Sequence, residues 1–291
     1  MNTKEKFKRL VSFLLHGAPD VYTANIVTLR TNELLKNRCA LITGGTSGIG
    51  LAITRTFLNA GANVIITGRK SERLEKVKAD LNLPNRVYSL EIDNTSVRSI
   101  EKGFHDALSM VDNYNLGVID ILVNNAGVNG GHMPNTSEAE YDKVMDTNLK
   151  GTFFLSQIVG KYMVEKRIKG NILNVASSSS LRPAISAYTI SKWGVRGLTM
   201  GLARSLSKYG ITVNGIAPGQ TLTPMMKKDS NENQNIIKPE IPLGRWIMPE
   251  EIANGALFLV SDMGKSVVGD ILYMTGGAGL LSFEDVGYNV F

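Results

Sequence analysis

Between Cys39 and Thr275 the sequence alternates short, almost wholly apolar runs with longer amphipathic segments, and that rhythm admits few folds. Short apolar runs bounded by turn residues mark strands covered on both faces, and strands separated by helical segments pair in parallel through crossover connections. The strands so marked run from Cys39 to Thr43, Asn63 to Gly68, Arg86 to Ile92, Ile121 to Asn125, Asn171 to Ala176, Thr212 to Ala217 and Ile271 to Thr275. Helical patterns fill Ile49 to Ala60, Ser71 to Leu81, Ser96 to Val111, Ser137 to Glu165, Ser186 to Tyr209 and Pro249 to Ser261. The expected architecture is α/β, a single doubly wound parallel sheet with helices on both faces.

Composition narrows the class. With 291 residues and 43% hydrophobic content the chain can bury one large core, expected over residues 36–291. The single cysteine, Cys39, lies inside an apolar run, which excludes a disulfide framework and fits a reducing, cytoplasmic setting. His16, His105 and His132 are far apart and lack carboxylates at ligand spacing, so no metal is expected. The net charge of +6 is scattered rather than gathered in a basic block, which speaks against a nucleic-acid partner. No apolar stretch reaches the roughly 20 residues of a membrane span.

Two segments stand outside the rhythm. Residues 1–35 form an N-terminal extension in which Phe7, Leu10, Val11, Leu14 and Leu15 share one helical face. Lys4, Lys6, Lys8 and Arg9 before them imitate a signal peptide, but the apolar run is short and no small-residue cleavage site follows. A helix packed on the main domain or on a subunit partner is expected, with attachment to a membrane surface the alternative. The second segment, Gly219 to Met248, is polar and too long for an ordinary connection, and a substrate lid is expected near residues 220–248.

The first strand runs into Thr43-Gly44-Gly45-Thr46-Ser47-Gly48-Ile49-Gly50. Glycines there let the backbone turn tightly and approach a pyrophosphate, while the following helix offers its positive N-terminus. An ordinary strand-to-helix turn would look similar, yet the strand before and the helix after are the context a dinucleotide site needs. The second strand ends in Thr67-Gly68-Arg69-Lys70, where a site for the free ribose hydroxyl of NAD(H) would carry an acid. Arg69, with Lys70 beside it, suits a 2′-phosphate, so NADP(H) is expected, with NAD(H) the alternative if the two are only solvated charges. Tyr188 and Lys192 stand four residues apart, on one helical face. A phenol with its ordinary pKa of about 10 is a poor base at neutral pH unless a nearby cation stabilises the ionised form, and Lys192 is a candidate cation.

Alone, such a pair is often only a surface contact. Joined to the glycine-rich turn, to Asn124-Asn125-Ala126-Gly127, to Ser177 and to Pro218-Gly219, it makes the chain resemble the short-chain dehydrogenase/reductase family from Lys36 to Gly277. The resemblance implies a Rossmann fold that holds a nicotinamide dinucleotide through Gly44, Thr46, Ser47, Gly48, Ile49 and Gly50. It also implies that Arg69 meets the 2′-phosphate, Asp93 contacts adenine, Asn125 and Gly127 line the ribose, and Pro218, Gly219, Thr221 and Thr223 hold the carboxamide. Ser177, Tyr188, Lys192 and Asn148 match the family's catalytic residues, Tyr188 and Lys192 touching the cofactor as well. Four consecutive serines leave Ser178 as the alternative to Ser177, although Ser177 comes first beyond the strand. The connection onward to Tyr188 is shorter than the family's usual one, which puts the pocket wall near Leu181 to Ile185 in doubt. Thr275 stands where the family most often has aspartate, a structural position.

By the same resemblance Ser177 would polarise a carbonyl and Tyr188 would donate the proton. Lys192 would lower the Tyr188 pKa and hold the nicotinamide ribose, and Asn148 would anchor a water that returns protons through Lys192. The expected function is NADP(H)-dependent hydride transfer with a small-molecule carbonyl or secondary alcohol, in a homodimer or homotetramer built on the two long helices. A catalytically silent dinucleotide-binding regulatory protein would have lost the serine, tyrosine or lysine, and all three are present. A nucleotide-sugar epimerase-like enzyme shares the pair but would carry a longer C-terminal region. A 3-oxoacyl thioester, a sugar or polyol, and a steroid-like ketone are all admissible substrates, the polar lid leaning towards a polar or acidic one.

Overall fold

The computed structural model describes residues 31–227, 238 and 240–279, together with Lys4. Among them β1 (Cys39–Thr43), β2 (Asn63–Gly68), β3 (Val87–Glu91), β4 (Ile119–Asn124), β5 (Asn171–Val175), β6 (Thr212–Pro218) and β7 (Ile271–Met274) form one sheet. Their order is β3-β2-β1-β4-β5-β6-β7, every pair parallel.

Strand burial explains the apolar runs. All of β1 is buried, with Ala40 and Ile42 packing into a first core and Cys39 and Leu41 into a second. In β2, Val64 and Ile66 join the side of Ala40, while Ile65 joins that of Leu41. The two-residue period sends successive side chains to opposite faces, so both faces need a roof. Helices α1 (Gly48–Asn59) and α2 (Ser71–Leu81) supply Ile53, Phe57 and Leu74 to the first core. The second receives Ile100 and Phe104 from α3 (Val97–Tyr114).

Helix boundaries follow local chemistry. Ser96, Ser137 and Ser186 cap α3, α4 (Glu138–Met145) and α6 (Ala187–Leu206), each accepting a bond from the backbone N–H three residues on. Asn115 ends α3 in the left-handed conformation that asparagine tolerates. The expected helix from Ser137 to Glu165 is interrupted: after α4 come five residues of π-helix, Asp146–Lys150, and then α5 (Gly151–Glu165). Tertiary contact sets the break. A β-carbon on Gly151 would lie 2.5 Å from the Asn94 carbonyl, so the helix presses against the turn after β3 at that point. The remaining helices are the short α7 (Pro224–Lys227) and α8 (Pro249–Val260), which adds Ile252 and Leu259 to the first core.

Other expected strands and helices recur with ends shifted by a few residues. The helix expected through Phe7 to Leu15 lies outside the described residues, as do residues 228–237 and 239 of the expected lid. Among the described residues no helix is long and apolar enough to cross a membrane. What positions the site is the reversal of strand order between β1 and β4. Crossovers leave these neighbours in opposite directions, which opens a crevice beyond their carboxyl ends.

Candidate active site

The glycine-rich turn closes one side of that crevice. Gly44 and Gly48 have φ of +65° and +51°, where side chains with a β-carbon are strained. A β-carbon on Gly50 would come within 2.3 Å of both the Gly44 carbonyl and Asn125 Nδ2, so this glycine lets α1 pack against the turn. Asn125 ties the turn to β4: its Nδ2 donates to the carbonyls of Thr43 (2.9 Å) and Gly44 (3.2 Å), and its backbone N–H donates to Thr43 Oγ1 (2.9 Å).

One cavity gathers nearly all the residues singled out in the sequence. Its wall includes Gly44, Thr46, Ser47, Gly48, Ile49, Arg69, Asp93, Asn125 and Gly127, and further along Ser177, Tyr188, Lys192, Pro218, Gly219, Thr221 and Thr223. Gly50 and Asn148 stand behind the wall rather than on it. Asn148 is buried, its Nδ2 donating to the Val128 carbonyl (2.9 Å) and Ser191 Oγ (3.1 Å) while its Oδ1 accepts from the Val128 N–H (2.8 Å). Both its amide hydrogens are thus committed, and only its oxygens remain to receive a water. Asp93 directs one carboxylate oxygen to Thr95, accepting from its N–H (3.0 Å) and hydroxyl (2.9 Å).

At one end of the cavity lie Arg69, Lys70 and Arg73, all exposed. Among the described residues none of the three makes an ion pair or side-chain hydrogen bond. Arg73 was not singled out in the sequence, although its spacing of four from Arg69 was a readable signal. Thr67, buried at the end of β2 in the same wall, keeps a hydroxyl with no hydrogen-bond partner. Unpaired cations, an unsatisfied hydroxyl and a glycine-rich turn fit the phosphates of a dinucleotide.

At the other end Ser177 and Tyr188 share the cavity wall, with the Ser177 hydroxyl close enough to the phenol to act on its pKa. Ser177 stands just past β5, caps the short 3-10 turn Ser178–Leu181 and accepts at Oγ from the Ser179 N–H (3.1 Å). Ser178, the alternative, is not on the cavity wall. Because Ser186 caps α6, Tyr188 falls in its first turn and Lys192 one turn later. Lys192 is buried and donates to the Val175 carbonyl at 2.8 Å, its Nζ 5.7 Å from the centre of the Tyr188 ring. Burial lowers its pKa from 10.5 to about 8. For Tyr188 burial pushes the pKa above its ordinary 10, and the nearby Ser177 hydroxyl opposes that rise. The lowering expected from Lys192 is therefore not the dominant effect in this arrangement, and the phenol keeps its proton at neutral pH.

Fold and cavity together define the class, a dinucleotide-binding α/β protein with two hydroxyls and a buried amine at one end of its crevice. Residues 38–234 match the model of the short chain dehydrogenases. A 3-oxoacyl-acyl-carrier-protein reductase of Aquifex aeolicus is 35% identical over 84% of this chain and 98% of its own length. A 3alpha-hydroxysteroid dehydrogenase of Mediterraneibacter gnavus is 38% identical with the same shares covered. The crystal structure of a short chain dehydrogenase from Bacillus anthracis superposes with a TM-score of 0.75 at 35% identity, covering 86% of this chain and 99% of that one. The chain belongs to the short-chain dehydrogenase family. It is an NAD(P)-dependent enzyme acting on CH–OH or C=O groups.

Proposed function

We propose that this enzyme interconverts a ketone and a secondary alcohol with NADP(H), Tyr188 exchanging the proton with the substrate oxygen. The observation that carries this reading is that the Ser177 and Tyr188 side chains line one cavity wall with buried Lys192, whose Nζ lies 5.7 Å from the centre of the Tyr188 ring. Two hydroxyl donors reaching one substrate oxygen would stabilise the charge that develops there as a carbonyl is reduced. Tyr188 meets the requirement for an acid, because burial holds its proton until the oxygen becomes strongly basic. Lys192, with a pKa of about 8, can pass a proton on near neutral pH. Asn148 acts as a positioning residue that ties the backbone after Gly127 to the helix bearing Tyr188. When bound, the nicotinamide supplies or receives the hydride. Arg69, Lys70 and Arg73 would hold the 2′-phosphate, and the glycine-rich turn the pyrophosphate.

The buried Cys39 supports a cytoplasmic setting. Exposed Phe153 on α5 and Met200 on α6 support a homodimer or homotetramer formed through those helices. Relatives named for a 3-oxoacyl thioester, a hydroxysteroid and gluconate define the first substrate panel. Each compound class, assayed with NADPH or NADP and separately with NADH or NAD, tests the reading. Turnover of at least one, with the phosphorylated cofactor preferred, is expected. A marked preference for NADH would overturn the role given to Arg69.

A further inference from the structure

The short connection between Ser177 and Tyr188 has its own support. Its first turn, Ser178–Leu181, is a single piece of 3-10 helix, whose hydrogen bonds are poorly aligned and whose terminal carbonyls have no partner within the helix. Two side chains of α6 reach back to carbonyls of this turn and of Arg182, the residue that follows it. Arg196 Nη1 donates to the Ser180 carbonyl at 3.1 Å, and Trp193 Nε1 donates to the Arg182 carbonyl at 2.9 Å. The two are themselves joined, the Arg196 guanidinium lying 5.2 Å from the centre of the Trp193 ring. Within the turn, Ser180 binds the Ser177 carbonyl twice, from its N–H (3.0 Å) and from its Oγ (2.8 Å), and the Tyr273 hydroxyl stands 3.4 Å from that Oγ. Only one residue, Ser180, thus separates Arg196 from the backbone of Ser177.

We infer that Arg196 and Trp193 are positioning residues, which lock Ser177 in register with Tyr188 by clamping the Ser178–Leu181 turn onto α6. One helix then carries Tyr188 directly and Ser177 through the clamp, so both hydroxyls move with a single rigid element. Such a clamp matters because a displacement of about 1 Å in reacting groups can cost a hundredfold in rate. It also accounts for the tolerance of the shortened connection.

The inference rests on the proposed roles of Ser177 and Tyr188, and the test separates the two. Wild type, Arg196→Ala, Arg196→Lys and Trp193→Phe are compared with NADPH and the panel compound turned over fastest, after size-exclusion chromatography shows the same oligomer for each. Arg196→Ala should lower kcat by about ten- to hundredfold while KM and NADPH affinity hold. Arg196→Lys keeps a cationic donor and should recover most of the loss, and Trp193→Phe, which keeps a ring but not the N–H, should fall between. Amide hydrogen exchange in Ser178–Arg182 should quicken in Arg196→Ala while the middle of α6 stays protected. Unchanged kcat in Arg196→Ala, equal losses in kcat and NADPH affinity, or unaltered exchange in the turn would each overturn the clamp. If wild type turns over none of the panel, the proposed function fails instead, and the exchange result alone decides whether the clamp exists.

Discussion

The two ends of the cavity are built on opposite principles. At one, Ser177 and Lys192 are buried, the Ser177 hydroxyl accepting from the Ser179 N–H and the Lys192 amine donating to the Val175 carbonyl. At the other, Arg69, Lys70 and Arg73 are exposed and carry no partner among the described residues. Proton transfer needs fixed distances and shifted pKa values, which burial provides. Phosphate recognition needs charge that stays available, and a buried or paired guanidinium would have to break a contact first.

Substitutions at each end should therefore fail in different observables. The largest effect is expected for Tyr188→Phe, with kcat falling about 10²- to 10⁴-fold in an NADPH oxidation assay. Next, Arg69→Ala combined with Arg73→Ala should weaken NADPH binding by about 1.5–3 kcal/mol, roughly ten- to hundredfold, measured by fluorescence titration. NADH binding in that variant should hardly change; equal losses for both cofactors would place the two arginines away from the 2′-phosphate.

How much of this was readable in the sequence depends on how local each cause is. β1 and β2 are apolar because both sheet faces bury them, and a run such as Cys39 to Thr43 announces that directly. Tyr188 and Lys192 were readable for a similar reason, since helical spacing alone brings them to one face. The π-helical break at Asp146–Lys150 was not, because it answers to Asn94 and Ser191, both remote in sequence. Nor was the direction of the Tyr188 shift, which depends on how much protein surrounds the phenol rather than on its neighbour four residues on. The clamp by Trp193 and Arg196 was hidden by ordinary appearance: nothing in their spacing distinguishes them from surface residues of α6.

Smaller effects probe the contrast through stability. Between pH 8 and 10.5 the unfolded chain keeps a proton on Lys192 that the folded protein has lost, so Lys192 makes stability rise with pH across that window. Comparing urea unfolding of wild type and Lys192→Met, without added cofactor, should isolate a rise of up to about 3 kcal/mol. Cys39 and Tyr188, whose raised pKa values act in the opposite sense at high pH, are common to both proteins. The smallest effect belongs to Glu251, which accepts from Arg245 at 2.8 and 2.9 Å and from the Met248 N–H at 2.8 Å where α8 begins. These bonds lower its pKa from 4.5 to about 2, so its contribution is lost as pH falls through that range. Because the pair is partly exposed and screened, Glu251→Gln should cost only about 0.5–1 kcal/mol at neutral pH in thermal unfolding, with cofactor binding intact.

The division of labour is tested most directly by measuring two quantities on Tyr188→Phe, the dissociation constant for NADPH and the single-turnover rate of NADPH oxidation with the preferred carbonyl. The account predicts an unchanged dissociation constant and a rate reduced by at least about a hundredfold. A rate close to that of wild type would contradict it, and so would loss of NADPH binding, because either result would mean that the hydroxyl end does not carry the proton transfer alone.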